Sequence, residues 1–248
     1  MIYITGDIHG DPSRFSRRKL QRYGLTLKAE DYVIICGDFG LLWRNPPSKE
    51  EAYWLNWLEQ QPYTVLFVDG NHENFAMLNT FPVEKYGGGL VQRIRRNVLH
   101  LRRGEIFHLE GHSFLCFGGA TSTDIDGRHP FVSWWPEEVP SKLEYENALV
   151  NLAKVNNQVD YVLTHTLPER SLQARLRKMP SVFMDDCPVR KMLDDLANHM
   201  SYKAWFAGHL HENYTDVENR CYWLFDRIVS ISPENMVSIL PIKKHLTK

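Results

Sequence analysis

Five short apolar runs in this chain each end on a residue type that binds cations, and that repetition constrains the fold more than any other feature. Residues 2–5 run into Gly6-Asp7-Ile8-His9-Gly10, residues 31–36 into Gly37-Asp38, and residues 64–68 into Asp69-Gly70-Asn71-His72-Glu73. Residues 160–164 end at His165, and residues 203–207 end at Gly208-His209-Leu210-His211. Runs of this length, rich in β-branched and aromatic residues and bounded by glycine and aspartate, predict buried strands of an α/β fold. In such sheets ligands gather at the carboxyl ends of strands, so loops remote in sequence converge in space. Asp7 and His9 lie two residues apart, and an extended backbone between them aims both at one point.

The segments between the runs predict connecting elements. A basic helix with a solvated face is expected over residues 14–23, with Asp11 or Ser13 as its N-cap. Over residues 49–60, Tyr53, Trp54, Trp57 and Leu58 recur at helical spacing and predict a core-facing stripe. Gly87-Gly88-Gly89 reads as a turn, because it lacks the Lys-Ser/Thr ending and the strand-to-helix setting of a phosphate-binding loop. Residues 98–120 alternate in short segments and predict antiparallel strands, with His100 and His108 partly exposed. Residues 121–140 show no period, and an irregular stretch of that length in a compact domain is usually functional. It carries Asp124, Asp126, Arg128, His129, Trp134 and Trp135, a mix suited to gripping a charged or aromatic substrate. Ser141 followed by Glu144 marks a capping box opening a helix over residues 141–155. Asp186, Cys187 and Pro188 open another helix to His199, residues 222–231 and 236–240 supply closing strands, and Lys243 to Lys248 form a frayed basic tail. One domain over residues 1–248 is expected, with residues 81–160 shaping the substrate side.

Acidic and basic residues nearly cancel, 30 against 29, for a formal net charge of -1. That balance argues against a general nucleic-acid or membrane-surface binder, which needs clustered Lys and Arg, so no long nucleic acid and no membrane partner is expected. No apolar run approaches the roughly 18 to 20 residues that span a bilayer. The 4 cysteines are widely spaced, without a Cys-x-x-Cys pair. Reduced thiols and a cytoplasmic location are therefore expected. The donors at the strand ends are Asp7, His9, Asp38, Asn71, His165, His209 and His211, more than one ion needs. Their mix of nitrogen and oxygen suits Mn, Fe or Zn, and no thiolate is present to make a structural zinc site.

Taken in order, Gly-Asp-Ile-His-Gly, Gly-Asp, Gly-Asn-His-Glu, Thr-His and Gly-His-Leu-His, from Asp7 to His211, resemble the calcineurin-like metallophosphoesterases. The resemblance implies a two-sheet β-sandwich core flanked by helices, with a dinuclear metal site at the strand carboxyl ends. It implies that Asp7, His9 and His211 hold one ion and Asn71, His165 and His209 the other, bridged by Asp38. His72 would not be a ligand but would face the scissile phosphate. Two divalent ions about 3.5 to 4 Å apart, Mn expected and Fe or Zn also fitting, would supply a hydroxide for in-line attack without a phosphoenzyme intermediate. His72 would protonate the leaving alkoxide or hold a phosphate oxygen.

One departure stands out. The protein phosphatase branch of this family continues from Gly-Asp to an Asp-Arg-Gly element, whereas Gly37-Asp38 here runs into Phe39-Gly40-Leu41-Leu42-Trp43. Arg44 or Arg128 is expected to clamp phosphate instead, and Glu73 or Asp69 to orient His72. The leading expectation is hydrolysis of phosphomonoesters, phosphoprotein included. The alternatives are a phosphodiesterase or nucleotide hydrolase in which Trp134 or Trp135 stacks on a base, and an inactive metal-stabilised binding protein.

Overall fold

The structure, a computed structural model, describes residues 1–179 and 187–242. Asp186 at the expected helix start and the expected basic tail Lys243 to Lys248 lie outside them. Along the chain the strands are β1 (Ile2–Thr5), β2 (Tyr32–Cys36), β3 (Thr64–Val68), β4 (Val83–Tyr86), β5 (Gly89–Arg95), β6 (Val98–Leu101), β7 (Glu105–Leu109), β8 (His112–Phe117), β9 (Tyr161–Thr164), β10 (Ala204–Ala207), β11 (Tyr214–Asp216), β12 (Cys221–Trp223), β13 (Ile228–Ile231) and β14 (Val237–Ile239). The helices are α1 (Arg17–Gln21), α2 (Lys49–Glu59), α3 (Phe75–Leu78), α4 (Lys142–Lys154), α5 (Glu169–Lys178) and α6 (Pro188–His199).

Among the described residues these strands form an 8-stranded sheet in the order β14-β13-β1-β2-β3-β6-β5-β4 and a 6-stranded sheet in the order β11-β12-β10-β9-β8-β7. The inner strands β1, β2, β3 and β6 run parallel, as do β8, β9, β10 and β12. Strand alternation sorts the core into three layers. Ile34, Leu66, Cys116, Leu163 and Phe206 point into a layer shared by both sheets. Their neighbours Val33, Ile35, Val65 and Phe67 face the other way, toward Leu20, Leu55, Leu58 and Leu78 of α1 to α3. Leu115, Val162 and Trp205 likewise face Leu152, Leu172 and Leu193 of α4 to α6. The chain is therefore a two-sheet sandwich with helices outside, and strands buried on both faces read as continuous apolar runs.

Local chemistry explains the helix boundaries. Ser48 and Glu51, and Ser141 and Glu144, form reciprocal capping boxes at the starts of α2 and α4. The basic stretch over 14–23 is not one solvated helix. A 3-10 turn over Pro12–Phe15 precedes the short α1. The Arg14 guanidinium turns inward, donating to Thr5 Oγ1 at 2.8 Å, Asp7 O at 2.6 Å and Phe225 O at 2.6 Å. His100, expected at a partly exposed position, is buried because β6 lies between β3 and β5 with both faces covered. His108, on the edge strand β7, is exposed.

Candidate metal centre

Parallel strands in register bring their carboxyl ends to one edge of the sandwich, and every predicted ligand sits there. Four of them adopt left-handed backbone angles: His9 at φ 44, Asp38 at φ 48, His209 at φ 70 and His211 at φ 50. Such conformations cost about 1–3 kcal/mol each for non-glycine residues and cluster at functional sites. Neighbouring glycines are required by close approach rather than by turning: a Cβ on Gly70 would lie 2.0 Å from Asp38 Oδ1, and one on Gly208 would lie 2.1 Å from Asp7 Oδ1.

The two carboxylates are aimed in the same way. Asp7 Oδ1 accepts from His209 N at 2.9 Å, and Asp38 Oδ1 accepts from His72 N at 2.8 Å. Asp7 Oδ2 is buried with no aligned donor, although His211 Nε2 lies 3.1 Å away. His9 Nε2 sits 2.9 Å from His211 Nε2 and 3.7 Å from both Asp7 Oδ2 and Asp38 Oδ2.

A second convergence lies deeper. His165 Nδ1 donates to Cys36 O at 2.8 Å, which directs Nε2 to Asn71 Oδ1 at 3.0 Å and Asp38 Oδ1 at 3.3 Å. Asn71 is oriented in turn, since its Nδ2 donates to Ser122 Oγ at 3.1 Å. Carbonyl, carboxylate and imidazole nitrogen thus present lone pairs to one another, an arrangement that needs a shared cation, either a proton on Nε2 or a metal ion. Without metal the proton serves. Burial works against the charge on His165, but Asp38 and then Asp7 push its pKa up to about 10. Burial would raise the Asp38 carboxyl, but His165, His72 and His9 hold it well below the usual carboxylate range. The His209 ring stands 4.9 Å from that of His165. The donor sets Asp7–His9–His211 and Asp7–Asp38–His165 each fall within 4.8 Å, and the residues fit two adjacent divalent ions, with Asp38 presenting one oxygen toward each half.

His72 stands beside these groups, its ring 5.4 Å from that of His9. Burial holds its pKa below the ordinary value; Asp38 pulls the other way and Arg128 adds to the lowering. Arg128 Nη2 lies 3.4 Å from His72 Nδ1, and the guanidinium also binds Ser133 O at 3.2 Å and pairs with Asp124. A guanidinium only donates, so Nδ1 carries the lone pair and Nε2 the proton.

Neither carboxylate expected to orient His72 makes a hydrogen bond to its ring. Asp69 binds His100 and Arg103, while Glu73 accepts from Phe39 N at 2.7 Å and so braces the loop carrying Asp38. Trp135 is 1% exposed, so it cannot stack on a base; Trp134 is half-buried on the same loop. Trp135 instead packs edge to face on Trp43, at 5.3 Å and 85°. Trp43 is the aromatic group near the centre, 6.3 Å from the His72 ring. Sequence reasoning assigned it no role, although it follows the metal-binding Gly37-Asp38 segment by only five residues, with Phe39-Gly40-Leu41-Leu42 between. Arg44 is exposed at the rim. The cysteines Cys36, Cys116, Cys187 and Cys221 are all buried thiols. Among the described residues, no helix is long and apolar enough to cross a membrane.

Residues 1–213 match the family model described as calcineurin-like phosphoesterase. The lariat debranching enzyme of Entamoeba histolytica is 24% identical, over 98% of this chain and 73% of its own length. That of Schizosaccharomyces pombe is also 24% identical, over 84% of this chain and 48% of its own, so the chain spans about half of that relative. The solved structure of phosphopantetheinyl hydrolase (PptH) from Mycobacterium tuberculosis aligns at TM-score 0.43 and 15% identity, covering 90% of this chain and 87% of that one.

Proposed function

The chain belongs to the calcineurin-like phosphoesterase family, whose members hydrolyse phosphoric esters, and on that premise we propose that it cleaves phosphodiesters in which one ester group is a nucleoside. The observation that carries this reading is the charge around His72. Arg128, the arginine against its ring, is ion-paired to Asp124. A phosphomonoester brings two negative charges at neutral pH and a diester one, so a half-neutralised arginine suits the diester better than the monoester expected first. The names of the two debranching relatives add to the same reading.

In this reading Asp7, His9 and His211 hold one divalent ion, Asn71, His165 and His209 the other, and Asp38 lies between them. When bound, the two ions supply positive charge that acidifies water and stabilises the charge growing on phosphate during in-line displacement. The protein contributes the rest. Asp7 and Asp38, each fixed by a backbone N–H, keep the donor sets in place before substrate arrives. His72 keeps its proton on Nε2 and donates a hydrogen bond from it to the leaving oxygen, while Arg128 steadies a non-bridging phosphate oxygen.

Initial rates on bis-p-nitrophenyl phosphate and p-nitrophenyl phosphate, with Mn and with chelator, test this. The diester is expected to lead in kcat/KM by about tenfold or more, with chelation abolishing both activities. A monoester lead would overturn the diester reading, and activity that survives exhaustive chelation would remove the metal.

A further inference from the structure

A cleft of 270 Å³ opens beside the metal centre, lined by His9, Gly40, Leu41, Trp43, Arg44 and Glu50 among others. It falls just below the range of pockets that take drug-sized ligands, so it suits a single ring system rather than an oligomer. We propose that this cleft is a nucleobase subsite, in which Trp43 stacks on the base of the nucleoside esterified to the scissile phosphate; this rests on the phosphodiester reading above.

Three observations carry it. First, the cleft is continuous with the centre, because His9 belongs to both, so a group covalently joined to the phosphate at the centre can reach into it. Second, Trp43 is a prepared platform. Its backbone N donates to Glu51 Oε1 at 2.8 Å, its carbonyl accepts from Asn74 Nδ2 at 2.8 Å, and its ring is braced by the buried Trp135. The same Glu51 carboxylate accepts from Arg44 N at 2.9 Å and Ser48 N at 2.7 Å. One buried side chain therefore fixes the whole wall, and an aromatic that is already ordered loses little freedom on binding. Third, the Arg44 guanidinium and the Glu50 carboxylate reach the rim without an ion pair or hydrogen bond among the described residues. A heterocyclic base carries both donors and acceptors on its edge, and a donor and an acceptor lining the same cleft can satisfy it. A purely aliphatic occupant would leave both unused.

Stacking of a base on an aromatic side chain corresponds to roughly a tenfold to hundredfold effect on affinity. The test compares thymidine 5′-(p-nitrophenyl phosphate) with methyl p-nitrophenyl phosphate, two diesters that share a leaving group, in the Mn-loaded protein. Wild type is expected to favour the nucleoside ester in kcat/KM by about 10- to 100-fold. Trp43→Phe, which retains a ring, keeps most of that ratio, and Trp43→Leu brings it close to one. A wild-type ratio near one, or a ratio that survives Trp43→Leu, overturns the subsite while continued turnover of both esters leaves the phosphodiester reading standing. If neither ester turns over with Mn demonstrably bound, that reading fails, and quenching of tryptophan fluorescence by thymidine 5′-monophosphate decides the subsite: quenching lost in Trp43→Leu supports it, and none in wild type overturns it.

Discussion

Replacing Asp69 with asparagine removes a charge from a buried network, two residues before Asn71 of the candidate metal centre. Asp69 is 1% exposed; it accepts from His100 Nε2 at 2.9 Å and from Arg103 Nε at 2.8 Å and Nη2 at 2.5 Å. Burial would raise its carboxyl pKa, but Arg103 and His100 hold it well below the usual carboxylate range. Asparagine keeps the shape and one acceptor oxygen but not the charge, leaving Arg103, itself buried, with Glu144 Oε2 at 3.3 Å as its anionic partner beside Glu137 O at 2.7 Å. Breaking a buried pair from one side costs about 3–5 kcal/mol, because the surviving charge stays out of water. In a chain of this size each kcal/mol moves Tm by roughly 2–4 °C, so a fall of roughly 6–20 °C is expected. A depressed carboxylate pKa stabilises the fold above its unfolded value and loses that contribution as pH falls, so the deficit is full at pH 7 and narrows below about pH 4. Adding Arg103→Met removes the buried cation that has lost its nearest carboxylate and recovers part of the loss. Urea unfolding of the metal-free protein at both pH values measures this. A single variant within about 1 kcal/mol of the parent at pH 7, or a double variant whose cost equals the sum of the singles, refutes the account.

Loading of metal should release about one proton at pH 7, because His165, pushed up to about 10 by Asp38 and Asp7 against its burial, must give up its Nε2 proton. Affinity therefore rises with pH over the neutral range, and calorimetry in two buffers of different ionisation enthalpy counts the proton; zero release would contradict the geometry. Ser122→Ala frees the Asn71 amide to rotate away from His165, so Mn affinity should drop about 10- to 100-fold with little change in Tm. Equal Mn retention by equilibrium dialysis would dismiss Ser122 as an orienting group.

The features legible in the sequence were those repeated by topology. Asp7, Asp38, Asn71, His165 and His209 each follow a run buried on both faces, and that pattern survives without knowledge of how the runs pair. Features that depend on pairing were hidden. His100 sits in an alternating segment that reads as half-exposed until β5 and β3 close over it. Arg14 lies in a basic stretch, yet it reaches Phe225 O, 211 positions away. Trp135 and Trp43 illustrate the same limit at the site: sequence spacing put the tryptophan pair of the long loop forward, whereas packing buries Trp135 as the brace and leaves Trp43 beside His72.

The placement of β1 has a consequence for synthesis of the chain. It lies between β2 and the antiparallel β13, with Thr5 opposite Ile228. On a ribosome adding about 5–20 residues per second, roughly 10–45 seconds separate the emergence of these two partners. Through that interval the strand delivering Asp7 can pair on one side only, so its other edge stays open to neighbouring nascent chains, and crowding on a polysome becomes a hazard for this fold that the finished molecule no longer carries.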